Sequence, residues 1–588
     1  MPTTKQYGRI VSVLALALAV AACGPTPRGV PGDADGGVDG PSTDGVPLPH
    51  ELVSITVTPT NPLVELDVGV AGSQVFVATG VYRDGVAEDL SAQVTWAVAN
   101  PAVGAMNGAR LAIPIFAVAA AESSRVTATL GTVVGEAQIT VVAYRRSGST
   151  QDFFFILPYQ DPAGQQRRPL DFATAIPALD VFLLMDTTGS MFGSISNLQI
   201  ALSGTVVPGI RAEVPDAQFG VGAFEDFPAQ GYGSPTSCPG AAGTPDQPFH
   251  LFRTITADVA SVQSGVASLS NGSSTIGCGN DWPEAGIEAL YQAATGNGVS
   301  APSPTNVPAN HTGVGGVAFR ASSMPVIVQI SDAMMHGPGE TRVCEGQSAN
   351  YTGAVAANAR SRAATKTALA AICARVVGIA PIQSTLPESC SAQLDLEDFA
   401  TATGARVPPA AWDVGVRPAG CAAGQCCTAA DGTGRAPDAQ GLCPVVFRAA
   451  TDGTGIGPSI VTGIRMLTRF ATFDVNSERS GGTTDVDGHP LPSGHTTADF
   501  LKAITPVSFV VPPAPPVLPN PSFDTVSFRG VTPGTRVSFN VNALNDFVEE
   551  TGQAQFFRAN IRVLAGGCTA LDQRDVLILV PPQPVIIE

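Results

Sequence analysis

The rhythm of hydrophobic and polar positions changes twice along this chain. From 51 to 144, apolar and polar residues alternate in "LVSITVTP", "SQVFVATGVYRDG", "QVTWAVAN", "SRVTATLG" and "EAQITVVAY", with turns such as Arg83-Asp84-Gly85 between them. A period of two places every second side chain on one face, so these runs predict the short strands of a β-sandwich, with Trp96 as a core anchor. From about 177 to 474 the apolar residues instead run unbroken in "VFLLM", "AQFGVGAF", "PVIVQIS", "VVGIA" and "PVVFRA". Helical spacing appears between those runs: Val259, Val262, Val266 and Leu269 behind a Thr256 cap, then "PEAGIEALYQAAT", a long helix near 355–374, "LEDFATAT" and "GPSIVTGIRMLTRFA". Strands that are apolar on both faces need cover on both, which predicts a doubly wound α/β domain with a Cys-rich insertion at 405–443. Alternation returns over 475–588 as a second, C-terminal β-sandwich that shows only about five strands. The lone strand 152–159, within a connecting segment at 145–176, is a candidate to complete it. In that case the α/β domain is an insertion in the sandwich.

The N-terminus follows none of these rhythms. Lys5 and Arg9 precede an apolar run at 10–22 that is short for a bilayer span and suits an export signal. Its end, "VAAC", resembles a bacterial lipoprotein signal, covering 1–22 and cut before Cys23. That resemblance implies an acylated Cys23 and a lipid anchor in the cell envelope, and Gly24 after the cysteine resembles sorting to the outer membrane. Residues 23–50 are rich in Gly, Pro and Asp and read as a flexible tether.

Composition narrows the classes. The 588 residues are 44% hydrophobic and 14% charged, as β-rich globular modules are, and the formal net charge of -18 argues against nucleic acid as a partner. Beyond Cys23, ten cysteines remain in an exported chain, an even number that predicts disulfides without giving their pairing.

The candidate chemistry lies at strand ends. Asp186, Thr188 and Ser190 follow the first unbroken strand, Asp226 follows the second, Asp281 and Glu284 begin a helix in "NDWPEAG", and Asp332 closes "VIVQIS". Each alone reads equally as a helix cap. Together they place oxygen ligands along the edge where open α/β sheets bind ligands. No H-E-x-x-H, nucleophile elbow or phosphate-binding glycine loop is present, so an enzyme is not expected. The six histidines are scattered and read as surface or capping residues.

With these residues in place, two resemblances can be given. Residues 51–144 resemble a bacterial Ig-like domain of the Big-2 type, through "SITVTP" and "VTW". Residues 177–474 resemble a von Willebrand factor type A domain, and within that superfamily the I-like domain of integrin β subunits. The matching runs are "DTTGSM", "FGVGAFEDFP", "NDWPEAGIEAL" and "ISDAMMH". The second resemblance implies a metal-ion-dependent adhesion site in which Asp186, Thr188, Ser190, Glu284 and Asp332 hold Mg²⁺ or Mn²⁺. It further implies an adjacent Ca²⁺ site at Asp226 and Asp281, although Gly279 stands where that family has Asn. Cys238 and Cys278, which flank one segment, are a candidate pair. The expected function is then a lipid-anchored surface protein that binds a carboxylate of a partner protein through the ion. An envelope scaffold docking an assembly subunit, and a carbohydrate-binding surface protein with a structural type A domain, are the alternatives.

Overall fold

A computed structural model describes residues 50–147, 151–236, 245–383, 385–414, 417–429, 431–513 and 520–582. The export signal, Cys23, the tether before His50, and Cys238 lie outside them. Among the described residues no helix is long and apolar enough to cross a membrane.

All nine residues of Ala178–Asp186 are buried. This strand, β1, lies at the centre of a six-stranded sheet with β2 (Asp216–Phe224), β3 (His250–Thr256), β4 (Met324–Ile330), β5 (Arg375–Pro381) and β6 (Val446–Ala449), in the order β3-β2-β1-β4-β5-β6. Every pairing is parallel except β2 with the edge strand β3. From β1 the chain first builds outward on one side, to β2 and β3, and then crosses to β4 on the other. The crevice between the carboxyl ends of β1 and β4 is therefore the topological switch point, the ordinary ligand position of an open α/β sheet.

The helices are α1 (Phe192–Ala201), α2 (Val207–Glu213), α3 (Val259–Ala267), α4 (Gly286–Thr295), α5 (Gly353–Asn358), α6 (Arg362–Ala371), α7 (Gln393–Ala402) and α8 (Ile456–Phe470). Two expectations from the sequence are not met. The long helix near 355–374 is two helices, α5 and α6, because the chain is extended at Ala359 and restarts at Ser361, whose hydroxyl caps α6. Helix α3 is capped by Asp258, which accepts from the backbone of Ala260 and Ser261, and not by Thr256. Between α1 and α2 the chain widens into a π turn at Leu202–Val206, just before Pro208, which has no N–H to continue the α-helical ladder.

The C-terminal sandwich packs a six-stranded sheet against a three-stranded one. Phe153–Ile156 pairs in parallel with Thr569–Val580 in the larger sheet. A second strand from the same region, Gln166–Phe172, pairs with Arg536–Ala543 in the smaller. Its sequence, "QRRPLDF", carries two arginines and a proline and is mostly exposed, so apolar alternation does not reveal it. The α/β domain thus leaves the sandwich after Phe172 and rejoins it at Phe473, and one apolar cluster runs through both. A disulfide, Cys373–Cys568, also links them. Three further disulfides, Cys344–Cys390, Cys421–Cys427 and Cys426–Cys443, lie within the α/β domain. Cys278 is disulfide-bonded as well, and its expected partner, Cys238, lies outside the described residues.

The N-terminal strands form a four-stranded sheet and two three-stranded ones around Val57, Phe76, Leu90, Leu111, Val126 and Ile139. Trp96 is half-buried at the edge of this core, and its indole N–H donates to Ser91 O at 2.9 Å. Strand Val133–Tyr144 alternates until its last four residues, which are all buried. Val142 and Tyr144, on the face opposite the core, pack with Phe154, Phe556, Leu577 and Leu579 of the C-terminal sandwich. Arg145 and the buried Asp152 make a two-pronged ion pair at this junction, at 2.9 and 2.6 Å.

Candidate metal centre

Asp186 is the last residue of β1 and has no exposed surface. Its Oδ1 accepts from the backbone N–H and the hydroxyl of Thr188 at 2.9 and 2.7 Å, and its Oδ2 from the Ser331 hydroxyl at 2.7 Å. Neither Thr188 nor Ser190 uses its side chain to cap the helical turns that follow. Capping therefore does not account for the two hydroxyls. Ser190 is exposed at the mouth, and its hydroxyl donates to Asp332 Oδ1 at 3.1 Å. Asp332 is buried, and its Oδ2 accepts from Gln383 Nε2 at 2.7 Å. The switch point thus joins the loops after β1, β4 and β5 through side-chain hydrogen bonds.

Glu284 enters from the helix α4 side. Its backbone is fixed to the loop after β4: its N–H donates to Met334 O at 3.0 Å, and its carbonyl accepts from His336 N at 2.7 Å. The carboxyl is buried, and its Oε2 has no hydrogen-bond partner. Gly279 makes room for it in the left-handed region (φ +66°): a Cβ there would stand 2.7 Å from Glu284 Oε1 and 3.3 Å from Thr188 Cγ2.

These acids are not balanced by base. Burial, then the charge of Asp332, pushes Asp186 up to about 7. Burial, then the charges of Asp186 and Asp226, raises Glu284 well above the ordinary carboxyl range, and burial raises Asp332. A buried carboxylate without a counter-charge is costly, so a cation is the missing complement of this donor set. Hydroxyl and carboxylate oxygens suit Mg²⁺ or Mn²⁺. The carboxylate oxygens of Asp186, Glu284 and Asp332 do not all come within 4.8 Å of one another. An ion shared by all three would have to keep some of its waters between itself and the acids, as Mg²⁺ commonly does.

The adjacent site is different. Asp226 and Asp281 do come together, but with His336, all three offering atoms within 4.8 Å. His336 has no exposed surface, which corrects its reading as a surface or capping residue. Its Nδ1 lies 2.5 Å from Asp226 Oδ2, and its Nε2 lies 2.9 Å from Ser348 O and 3.5 Å from Asp281 Oδ2. The other oxygen of Asp226 accepts from Phe227 N at 2.5 Å and from the Tyr351 hydroxyl. Both oxygens of Asp226 are thus engaged by the chain's own polar groups, whereas Asp281 Oδ1 is buried without a hydrogen-bond partner, and burial pushes Asp281 up to about 7; the three side chains together are compatible with a divalent ion.

Sequence reasoning also passed over Glu225, which lies between strand end and Asp226 in "FED". Burial alone would raise it, but the neighbouring His250, with donors from Thr187 and Gln247, holds it below the ordinary Glu value. Through the Thr187 hydroxyl, Glu225 braces the residue beside Asp186. Asp246, which accepts from the backbone of Ser234, Cys278 and Gly279, is pushed up to about 6 by burial and then by the charge of Glu225. Ser331, next to Asp332, had an adjacency signal; Gln383 had none, since it reaches the site from beyond β5. The exposed turn at 485–489 also groups Asp485, Asp487 and His489. There Asp485 is satisfied by its own turn, accepting from the backbone of Asp487 and His489.

No family model matches the chain. Over 80 residues it is 38% identical to Ice-binding protein 1 of Shewanella frigidimarina, a match that takes in 14% of this chain and 8% of that protein. Among solved structures it is similar to a von Willebrand factor type A structure from Catenulispora acidiphila, at 12% identity over 75% of this chain and 76% of that one, with a TM-score of 0.26. It is also similar to the open conformation of the pilus adhesin SpaC from Lactobacillus rhamnosus GG, at 10% identity over 76% of this chain and 51% of that one, again with a TM-score of 0.26. At that score the likeness carries no argument, and the α/β fold rests on the strand order given above.

Proposed function

We propose that the α/β domain is an adhesion module of the von Willebrand factor type A kind, which holds one Mg²⁺ or Mn²⁺ at the carboxyl ends of β1 and β4. On this reading Thr188 and Ser190 offer hydroxyls, and Asp186, Glu284 and Asp332 offer carboxylates partly through water. The ion, when bound, leaves a coordination place for a carboxylate of a partner protein. Ser190 stands at the exposed mouth where that carboxylate enters. Ser331 and Gln383 orient Asp186 and Asp332, and Glu225 braces the loop between β1 and α1. Anchored through an acylated Cys23, the chain would present this mouth from the bacterial envelope, with the N-terminal sandwich as its stalk. Dual burial of Val142 and Tyr144 against the C-terminal sandwich suits a stiff mount.

The observation that carries this reading is Glu284: a buried carboxyl, one oxygen without a donor, raised by the acids around it. The ice-binding match covers too little of that relative to bring its ligand here. A pull-down from cell extract in Mg²⁺ and in EDTA, wild type beside Asp186→Ala, tests the proposal. Capture of a partner only by wild type in Mg²⁺ supports it. Capture unaffected by chelation and by the substitution would instead favour binding by the sandwiches.

A further inference from the structure

We propose that Trp282 is a positioning residue of the ion site: with the Cys344–Cys390 disulfide, it clamps the segments that carry Glu284 and Asp332 onto one backbone carbonyl, that of Cys390. The inference rests on the adhesion-site reading and adds to it a residue that holds no ion itself.

A closed ring of hydrogen bonds makes the clamp. Glu284 N–H donates to Met334 O at 3.0 Å, Met334 N–H to Cys390 O at 3.0 Å, and the Trp282 indole N–H to the same Cys390 O at 2.7 Å. A carbonyl oxygen accepts twice, and here it accepts from two other segments. Trp282 and Glu284 are joined through Pro283, whose ring fixes its own φ, so little backbone freedom is left between the indole and the carboxyl. Asp332 stands two residues before Met334, and its carbonyl accepts at 3.3 Å from the N–H of Ala392, two residues beyond Cys390. The segment before α4, the loop after β4 and the loop after β5 thus meet at Cys390.

The anchor is itself fixed. Cys390 is covalently bound to Cys344, and both are buried with Met334 in a small apolar cluster against which Trp282 and Leu386 pack. Cys344 pairs with Gln347 across a hairpin, and the Gln347 side-chain oxygen accepts from the Trp282 backbone N–H at 2.7 Å. The disulfide therefore joins the two acceptors of Trp282, one for its indole and one for its backbone. Apolar packing alone would be served by a Phe at this position; the indole N–H adds a directed bond from the Glu284 segment. Ionised together, the acids of the mouth repel, so a site assembled before the ion arrives needs a clamp of this kind.

The test is Mn²⁺ affinity, read by calorimetric titration of the full-length protein, with the binding that Asp186→Ala removes taken as the signal of this site. Trp282→Phe keeps an aromatic ring in the cluster and deletes the indole N–H. Gln347→Ala, at an exposed position, deletes the acceptor of the Trp282 backbone. Trp282→Phe is expected to weaken the Asp186-dependent binding about tenfold, as removal of a bond that orients a ligand typically does, and Gln347→Ala to weaken it less. Unchanged affinity in Trp282→Phe, whatever its melting temperature in EDTA, is what a merely structural indole gives and would overturn this inference while leaving the adhesion site standing. Should Trp282→Phe fail to fold, Gln347→Ala decides, and unchanged affinity there overturns the clamp. Equal Mn²⁺ uptake by wild type and Asp186→Ala would remove the adhesion-site reading and this inference with it.

Discussion

Two acidic clusters lie side by side at the same sheet edge, and they solve the same electrostatic problem in opposite ways. Around Asp226 the chain supplies its own complement: an imidazole, a tyrosine hydroxyl and a backbone N–H converge on that one carboxylate, while the neighbouring Asp281 keeps one oxygen without a partner. Around Asp186 the donors are hydroxyls and a single backbone N–H, and Glu284 keeps an oxygen with no donor at all. A closed cluster of the first kind stabilises a fold. An open one of the second kind weakens it until something arrives, which is why unbalanced buried charge is a mark of function and balanced charge is a mark of structure.

Removing one charge from each cluster should therefore shift stability in opposite directions. Asp226→Asn leaves the buried His336 facing a neutral partner and is expected to destabilise by about 3 kcal/mol, with or without Mg²⁺. Asp186→Asn removes repulsion and is expected to raise the melting temperature in EDTA while abolishing any gain from Mg²⁺. Thermal melts of both variants in EDTA and in Mg²⁺ measure this, and equal losses for the two would erase the contrast.

A smaller effect follows from pH. Asp186 is pushed up to about 7 in the ion-free fold, whereas the unfolded chain releases that proton near the ordinary Asp value of 3.8. Between these values the folded state binds more protons than the unfolded one, so stability falls as pH rises through 7. In EDTA the melting temperature is expected to drop from pH 5 to pH 8 by about 3 °C or more. Mg²⁺, which binds the ionised form, should remove most of that decline, and Asp186→Asn should flatten it. A melting temperature that rises over this interval in EDTA would contradict the assigned imbalance.

The smallest expected effect lies in the supporting shell. Gln383 Nε2 holds Asp332 Oδ2 at 2.7 Å without belonging to the ion's own donor set. Gln383→Ala should weaken Mn²⁺ binding roughly tenfold, at the low end for a supporting residue, and leave the EDTA melt nearly unchanged. Calorimetric titration with Mn²⁺ measures it, and unchanged affinity would remove Gln383 from the site.

Much of the frame was legible because the signals are local. An unbroken apolar run that stops at a polar residue marks a strand end, and Asp186 and Asp332 do stand at or just past the ends of β1 and β4. The closed cluster was not legible. His336 lies four residues beyond Asp332 in a run without periodicity, and Tyr351 arrives from a loop more than 120 positions from Asp226; only the folded backbone brings them together. Strand Gln166–Phe172 was hidden for a related reason: its exposed face and charges leave too little alternation to read. The break between α5 and α6 depends on the backbone N–H of Arg360 turning to Glu288, a tertiary contact that helical spacing cannot register.

Growing crystals with Mn²⁺ and collecting anomalous diffraction at the manganese edge would examine the unbalanced mouth most directly. The expected map has a strong peak beside the hydroxyls of Thr188 and Ser190 and facing Asp186, Glu284 and Asp332. No peak there, or a peak between Asp226 and Asp281 instead, would contradict the assignment of the open cluster as the ion's place.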